Sequence, residues 1–175
     1  LSFFQKEGHE IALVGNFRPS LGGSEYLHCL HGLIEGEIPK IDLEDESNLQ
    51  KTILEFNDKK LIFSAKDISL GGLLTALCKK AVPKNLGFDI TLSELPKFNR
   101  LDETLFGETS SSVIITYEKN SAKEIRQIAE KNKLNVFHLG VVTSDNKISV
   151  KELDFTENLN ELKSIYDNSL EFVFQ

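Results

Sequence analysis

The sequence predicts an α+β fold, an α/β sandwich in which a mixed β-sheet is flanked by helices. Short apolar runs typical of strands alternate along the chain with amphipathic repeats typical of helices. Towards the C-terminus, two strand-like runs follow one another with only a turn between them, which indicates that the sheet is partly antiparallel. The 175 residues are enough for one domain with a proper core, or for one domain with a small appendage.

The first half of the chain is predicted to contain two strands and three helices. They are a strand at residues 10–15, helices at 24–34 and 45–57, a strand at 61–64 and a helix at 70–81. Gly32 and Gly36 end the first helix, because glycine commonly closes helices. The third helix is the clearest, since its leucines recur at helical spacing until Pro83, yet Gly71 and Gly72 in its first turn disfavour a helix. Such a conflict points to a functional or a close-packing reason.

The second half is predicted to complete the sheet. Its elements are a strand at 88–92, a loop at 95–100, a helical turn at 102–106, a strand at 113–117, a helix at 121–132, strands at 136–143 and 147–150, and a helix at 159–170. Ser121 and Glu124 form the pattern of a capping box. Asp145 and Asn146 favour a tight turn, so the strands on either side of them are expected to pair as a hairpin.

Composition and charge argue against several classes of protein. The net charge of −7 argues against a nucleic-acid surface, which needs clustered lysine and arginine. No apolar run approaches membrane-spanning length, and no basic-then-apolar leader precedes the first strand. Cys29 and Cys78 are expected to be buried free thiols in a reducing compartment, which suggests the cytoplasm. The chain opens on leucine rather than methionine, so it is expected to begin inside a longer polypeptide.

A first candidate site follows the first strand, at Gly22, Gly23 and Ser24. Paired glycines permit close backbone approach, and Ser24 is placed to cap the next helix. A strand, a glycine loop and a helix start present N–H groups that suit an anion such as phosphate. The alternative is a loop that only turns a corner and caps a helix.

A second, similar device comprises Asp67, Ser69, Gly71 and Gly72. A carboxylate at the end of a strand, just before a helix that opens on two glycines, can hold Mg²⁺ beside a phosphate. The alternative is that Asp67 or Ser69 only caps the helix.

A third candidate loop carries Glu108 beside Thr109 and Ser110. A carboxylate among hydroxyl groups could bind a ribose, an amide or a metal-bound water, or it could be an ordinary exposed loop residue. We expect Ser24, Asp67 and Glu108 to meet at one rim of the sheet.

The histidines offer a weaker metal hypothesis. His28 and His31 stand at helical spacing, and His138 lies far along the chain. A zinc or iron site needs a third and a fourth ligand, and no such spacing is recognisable. No nucleophile elbow, Walker loop or dinucleotide-binding glycine pattern occurs, so acyl-transfer and P-loop chemistry have no support.

Three segments, taken together, resemble one known family. The first strand leads into LGGSEYL, residues 64–73 read SAKDISLGGL, and residues 105–112 read LFGETSSS. In order and spacing they resemble the C-terminal end of phosphoribosylformylglycinamidine synthase, in its small synthetase subunit. The resemblance covers nearly the whole chain and implies that residues 1–175 are a single C-terminal domain of a longer multidomain synthetase. It also implies the fold of the C-terminal domain of aminoimidazole ribonucleotide synthase.

The resemblance implies a reaction as well. The family converts formylglycinamide ribonucleotide to the amidine in de novo purine biosynthesis. ATP with Mg²⁺ activates the formyl amide oxygen, and ammonia from glutamine then displaces phosphate. The full subunit is an ATP-dependent ligase, and its catalytic residues lie in other domains, so this chain is expected to contain none and to be inactive alone. The partners implied are the N-terminal domains of the same subunit, a glutaminase subunit and a small accessory subunit, with no nucleic acid and no membrane.

The resemblance also gives the candidate residues a role. In the first half of such a subunit, the counterpart of Asp67 holds Mg²⁺ and those of Glu108, Thr109 and Ser110 contact substrate. In this chain, these residues and the two diglycine segments are expected to line an auxiliary cleft. The corresponding cleft of larger relatives holds a structural nucleotide, and the cleft of this chain is expected to hold either a nucleotide or no ligand. The chain has Lys66 where the family usually has histidine, and residues 108–112 read Glu-Thr-Ser-Ser-Ser where the family usually has Glu-Ser-Gln-Ser-Arg.

Two other interpretations stay open. The chain could be a phosphate- or nucleotide-binding regulatory module, or the C-terminal domain of another superfamily member such as aminoimidazole ribonucleotide synthase or selenophosphate synthase. It could also be an interaction domain whose Phe3, Phe4 and residues 172–174 form apolar patches that bury against the rest of a subunit.

Overall fold

The computed structural model describes residues 1–168, and this part of the chain forms seven strands and six helices. The strands are β1 (Glu10–Gly15), β2 (Ile62–Asp67), β3 (Gly87–Ile90), β4 (Ser112–Tyr117), β5 (Val136–Thr143), β6 (Lys147–Val150) and β7 (Phe155–Asn158). The helices are α1 (Glu25–His31), α2 (Leu43–Asp58), α3 (Gly72–Ala81), α4 (Leu101–Phe106), α5 (Ala122–Lys131) and α6 (Leu159–Asn168). The predicted α+β class is confirmed.

The strands form one mixed sheet in the order β2-β4-β1-β5-β3-β6-β7. Every neighbouring pair is antiparallel except β3 and β6, which are parallel. β1 has strands on both sides, and five of its six residues are buried. The segment that leads into the glycine loop is therefore held firmly inside the sheet.

Alternation along β1 divides the core between the two faces of the sheet. Ile11 and Leu13 point into one apolar cluster with α3 and α4, whereas Ala12 and Val14 point into another with α2 and α5. Helices thus cover both faces of the sheet.

The predicted hairpin at Asp145 and Asn146 is wrong. β5 and β6 have the predicted bounds, but β3 lies between them and pairs with both. Close approach makes this possible, because a Cβ on Gly87 of β3 would lie 2.1 Å from the Lys147 carbonyl oxygen. Asp145 and Asn146 thus connect two strands that have a third strand between them. The local preference of these residues for a turn does not reveal that β3 lies between β5 and β6.

Several helix ends differ from the prediction. The helix predicted at 24–34 ends at His31, where Gly32 takes the left-handed conformation. The predicted capping box is wrong, since Ser121 lies in a 3₁₀ turn and makes no side-chain cap bond to α5. β7 was not predicted, because its sequence, FTEN, alternates weakly and is mostly exposed.

Expectations for single residues also need correction. Cys29 is exposed and Cys78 is half-buried, so only Cys78 approaches the expected buried thiol. Phe4 is fully buried in the core and does not belong to an exposed patch. The other aromatic residues of that hypothesis, at 172–174, lie outside the described residues. No helix within residues 1–168 combines the length and the apolarity needed to cross a bilayer.

Candidate functional site

The three predicted loops lie at the same end of neighbouring strands of the sheet. Gly15, which ends β1, lies opposite Ser112 at the start of β4, and Asp67, which ends β2, lies opposite Val113. The glycine loop after β1, the opening of α3 after β2 and the loop before β4 therefore start from neighbouring positions. The pairing of the strands thus brings the three loops together, which the order and spacing of the motifs alone could only suggest.

The carboxylate of Glu108 joins the two glycine-led helix openings. Its Oε1 atom accepts a hydrogen bond from the Glu25 N–H at 3.0 Å and another from the Gly71 N–H at 3.1 Å. The Glu108 backbone is itself held by Ser20 through a pair of N–H···O bonds of 2.8 and 2.9 Å. One negative oxygen thus receives N–H donors from both loops, as an anion at paired helix starts would.

The diglycine before α1 contacts the connection between α1 and α2. The Gly23 N–H donates to the Glu35 carbonyl at 2.8 Å, and the Gly22 N–H donates to the Ser20 hydroxyl at 3.1 Å. A Cβ on Gly22 would lie 2.1 Å from the Glu37 carbonyl oxygen. The absence of a side chain at Gly22 lets residues 35–37 lie directly against the loop.

Ser24 caps α1, as predicted. Its Oγ accepts from the Leu27 N–H at 3.3 Å and donates to the Leu21 carbonyl at 2.6 Å, and the residue is buried. The side chain satisfies one of the free N–H groups of the first turn.

The opening of α3 uses glycine for packing. Its N-cap is Gly71 in the left-handed conformation, without a side-chain cap bond, so neither Asp67 nor Ser69 caps this helix. A Cβ on Gly72, whose φ is +74°, would lie 2.5 Å from the Phe106 carbonyl carbon. The Ser69 carbonyl accepts from the Gly72 N–H at 3.0 Å, and Asp67 is exposed at the end of its strand.

In the third loop, the hydroxyl groups of Thr109 and Ser110 bind main-chain atoms. Thr109 is buried, and its Oγ1 donates to the Ser110 carbonyl at 3.1 Å and accepts from the Arg18 N–H at 3.4 Å. Ser110 Oγ donates to the Lys40 carbonyl at 3.1 Å. These contacts hold the loop against the segments that lead to α1 and α2.

A cavity of about 690 Å³ opens beside the two helix starts. Its lining combines apolar and aromatic groups with one carboxylate, one thiol and one amine: Glu25, Tyr26, Cys29, Leu30, Leu70, Gly71, Thr75, Lys79 and Phe106. Of these residues, sequence reasoning identified only Gly71 as part of a site. The others stand on α1, α3 and α4, except Leu70 in the turn before α3. Helical periodicity alone does not say which faces of three helices meet.

Tyr26 is fixed at the wall of this cavity. Its ring stacks on Phe106 with centroids 5.1 Å apart, and its hydroxyl donates to Asp102 Oδ2 at 3.1 Å. The Arg100 guanidinium beside Asp102 lowers the pKa of that carboxyl to about 2, with help from the Tyr26 hydroxyl. Asp102 therefore stays an acceptor at any physiological pH.

We expect Glu108→Gln to lower the free energy of unfolding by about 1 kcal/mol, because a neutral amide oxygen accepts less strongly than a carboxylate from two N–H groups. Urea denaturation measures the change. Glu130→Gln, at an exposed position of α5, is the matched control and should change little. Equal effects of the two substitutions would contradict the assigned role of Glu108.

Comparison with known proteins places the chain in a family. The family model described as "AIR synthase related protein, C-terminal domain" matches residues 6–152. A subunit named phosphoribosylformylglycinamidine synthase subunit PurL from Leptospira biflexa is 41% identical over 147 residues, which are 83% of this chain and 20% of that protein. The subunit of the same name from Aquifex aeolicus is 36% identical over 167 residues, which are 93% of this chain and 22% of that protein.

Solved structures share the fold at low identity. PurL of T. maritima complexed with FGAR superposes with a TM-score of 0.80 and 21% identity, covering 93% of this chain and 29% of that one. The hydrogenase maturation protein HypE gives a TM-score of 0.62 and 15% identity, covering 88% of this chain and 53% of that one. The chain spans about a fifth of the length of the curated relatives it matches.

Proposed function

This chain belongs to the AIR synthase related protein C-terminal domain family, and we propose that it is the C-terminal domain of a phosphoribosylformylglycinamidine synthase subunit that acts in purine biosynthesis. The observation that carries the proposal is sequence identity of 31–41% with subunits named PurL, over most of this chain. Other members of the fold, such as HypE and thiamine-monophosphate kinase, match at TM-scores of only 0.62 and 0.55.

In the proposed enzyme, ATP phosphorylates the formyl amide oxygen of formylglycinamide ribonucleotide. Ammonia from glutamine then attacks the activated carbon, the carbon–oxygen bond breaks, and phosphate leaves as the amidine forms. The whole enzyme is thus an ATP-dependent ligase that forms a C–N bond and uses Mg²⁺ to clamp the phosphoryl oxygens. Solved structures described as T. maritima PurL complexed with ATP and with FGAR support the choice of substrates.

The role proposed for this chain is support, with catalysis in the other domains of the subunit. The three candidate loops support this role because their polar groups bind one another. The Glu108 carboxylate accepts hydrogen bonds from the N–H groups of Glu25 and Gly71, and the Glu35 carbonyl accepts one from the Gly23 N–H. The proposed partners are the N-terminal domains of the same subunit, a glutaminase subunit and a small accessory subunit in the cytoplasm. A solved structure described as PurLQS from T. maritima is in line with such an assembly.

A chimaeric subunit tests the proposal. This chain replaces the matching 147 residues of the Leptospira biflexa subunit, and amidine formation from formylglycinamide ribonucleotide, ATP and ammonia is measured. We expect activity within about tenfold of the parent, and none from this chain alone. The control chimaera carries the matching part of HypE. A soluble chimaera no more active than that control would overturn the assignment, and turnover by this chain alone would overturn the supporting role.

A second candidate function is nucleotide binding at an auxiliary cleft, favoured by the 690 Å³ cavity that reaches Gly71 and carries one amine, Lys79. We propose that phosphate groups would lie near Gly22 to Ser24, Ser69 to Gly72 and Glu108 to Ser110, with Mg²⁺ at Asp67. Because Glu108 already accepts the N–H groups, a phosphate has to displace its carboxylate. Calorimetry with ADP and Mg²⁺ tests the idea. Heat that Asp67→Asn and Lys79→Ala each reduce supports it, and no heat removes it.

A further inference from the structure

Helix α1 presents three potential metal ligands on one exposed face. Glu25, His28 and Cys29 stand at positions i, i+3 and i+4, which bring side chains together on a helix. Glu25 Oε2 lies 3.7 Å from His28 Nδ1 and 3.7 Å from Cys29 Sγ. The ligand atoms of all three residues lie within 4.8 Å of one another.

The position of this cluster is fixed by contacts that do not use its ligand atoms. The Glu25 N–H is bonded to Glu108, and Ser24 caps the same turn, so the start of α1 is held while the three side chains stay exposed. The ligand atoms are side-chain nitrogen, sulfur and oxygen atoms, and the N–H groups of the helix play no part. The cluster is therefore separate from the N–H groups at which an anion was predicted to bind, although the Glu25 backbone is one of those groups.

The donor set matches what zinc accepts. Bond lengths of about 2.0–2.3 Å to imidazole, thiolate and carboxylate in a tetrahedron place ligand atoms about 3.3–3.8 Å apart. Two of the distances in the cluster are already 3.7 Å. The third pair lies within an upper limit of 4.8 Å, and exposed side chains can close any remaining gap by small rotations.

We propose that Glu25, His28 and Cys29 form a binding site for Zn²⁺ with three protein ligands and a fourth position left for water or a ligand. Glu25 and Cys29 also line the 690 Å³ cavity, so a metal ion bound to them would lie beside it. Among residues 1–168, this is the one group of three such side chains close enough to share a metal ion. The inference is independent of the proposed synthase function.

The spacing of His28 and His31 led sequence reasoning to a different pair. In the structure, His31 lies near the ring of Tyr26, with centroids 6.3 Å apart, and does not belong to the cluster. The missing ligands are Glu25 and Cys29, which complete an i, i+3, i+4 set and do not follow zinc-finger spacing. A search for ligands at helical intervals would have found them.

Cobalt titration of the reduced chain tests the site, since Co²⁺ occupies zinc sites and a thiolate ligand gives an intense ultraviolet charge-transfer band. We expect one Co²⁺ per chain, with a band that one equivalent of Zn²⁺ removes. Cys29→Ser should abolish the band, while His28→Asn and Glu25→Gln should each weaken binding at least tenfold. His31→Asn and Cys78→Ser are the matched controls and should leave both the band and the affinity unchanged.

Three results would overturn the site. Absence of a thiolate band in the parent chain, a band that survives Cys29→Ser, or equal weakening by His31→Asn and His28→Asn each excludes the assignment. Circular dichroism checks that every variant keeps its helices. All substituted ligands are exposed, so the fold is expected to tolerate each change.

Discussion

Replacing Gly72 with alanine is expected to lower the free energy of unfolding by about 3 kcal/mol or more. Its φ of +74° is costly for any residue with a Cβ, by about 1–2 kcal/mol. The new methyl group would also lie 2.5 Å from the carbonyl carbon and 2.7 Å from the Cα of Phe106, so α3 and α4 have to move apart. Chemical denaturation of the variant and the parent measures the difference.

Gly32→Ala is the matched control for Gly72→Ala. Gly32 has a similar φ of +65°, but no atom lies within 4 Å of the position of its Cβ. Its replacement should therefore cost only the conformational part, about 1 kcal/mol. If both substitutions cost the same, packing against Phe106 is not the reason for glycine at position 72.

The second large effect is expected at Lys80, whose side chain is fully buried in the core. Its Nζ donates to Ser64 Oγ at 2.8 Å and contacts the Ser2 and Ile114 carbonyl oxygens at 3.4 and 3.5 Å. Burial, with a smaller contribution from the Lys66 charge, lowers the pKa of Lys80 from 10.5 to about 7. Keeping this amine protonated therefore lowers the stability of the folded chain.

Lys80→Met should raise the free energy of unfolding at pH 7 by about 2 kcal/mol, because a methionine of similar length removes a buried charge. The pKa in the folded chain is lower than in the unfolded chain, so the unfolded chain holds the extra proton between about pH 7 and 10.5. The contribution of Lys80 to stability thus rises with pH across this window, and the variant should lose that rise. Urea denaturation at pH 7 and at pH 9.5 measures both effects.

Lys79→Met is the control for Lys80→Met, since Lys79 is the exposed neighbour on the same helix. It should leave the dependence of stability on pH unchanged. A Lys80→Met variant that is less stable than the parent at pH 7 would show that the hydrogen bonds of the amine outweigh the cost of burying its charge. A variant that keeps the full rise between pH 7 and pH 9.5 would show that Lys80 is not the source of that rise.

Much of the fold could be predicted from hydrophobic periodicity. β1, β5 and β6 have the predicted bounds, because each is a short apolar or alternating run between turn residues. Strand order was not predictable in the same way. β3 lies between β5 and β6 because Gly87 lets two backbones approach closely, and that is a contact between residues sixty positions apart.

The candidate site was predictable in its position and less so in its contacts. Paired glycines and a hydroxyl-rich loop indicated where chain segments come close together, and Glu108 does lie between the two helix openings. The sequence does not say what occupies such a place, since a phosphate and a carboxylate of the same chain need the same N–H donors. Gly22 and Gly72 face backbone atoms of the chain itself, and this follows from tertiary packing alone.

The central claim is that one carboxylate, Glu108, joins the openings of α1 and α3. Amide hydrogen exchange, measured by NMR on the parent and on Glu108→Ala, tests it most directly. We expect the Glu25 and Gly71 amides to lose protection together, while the Leu27 amide, bonded to Ser24, keeps its own. Unchanged protection at Glu25 and Gly71, or loss at only one of them, would contradict the claim.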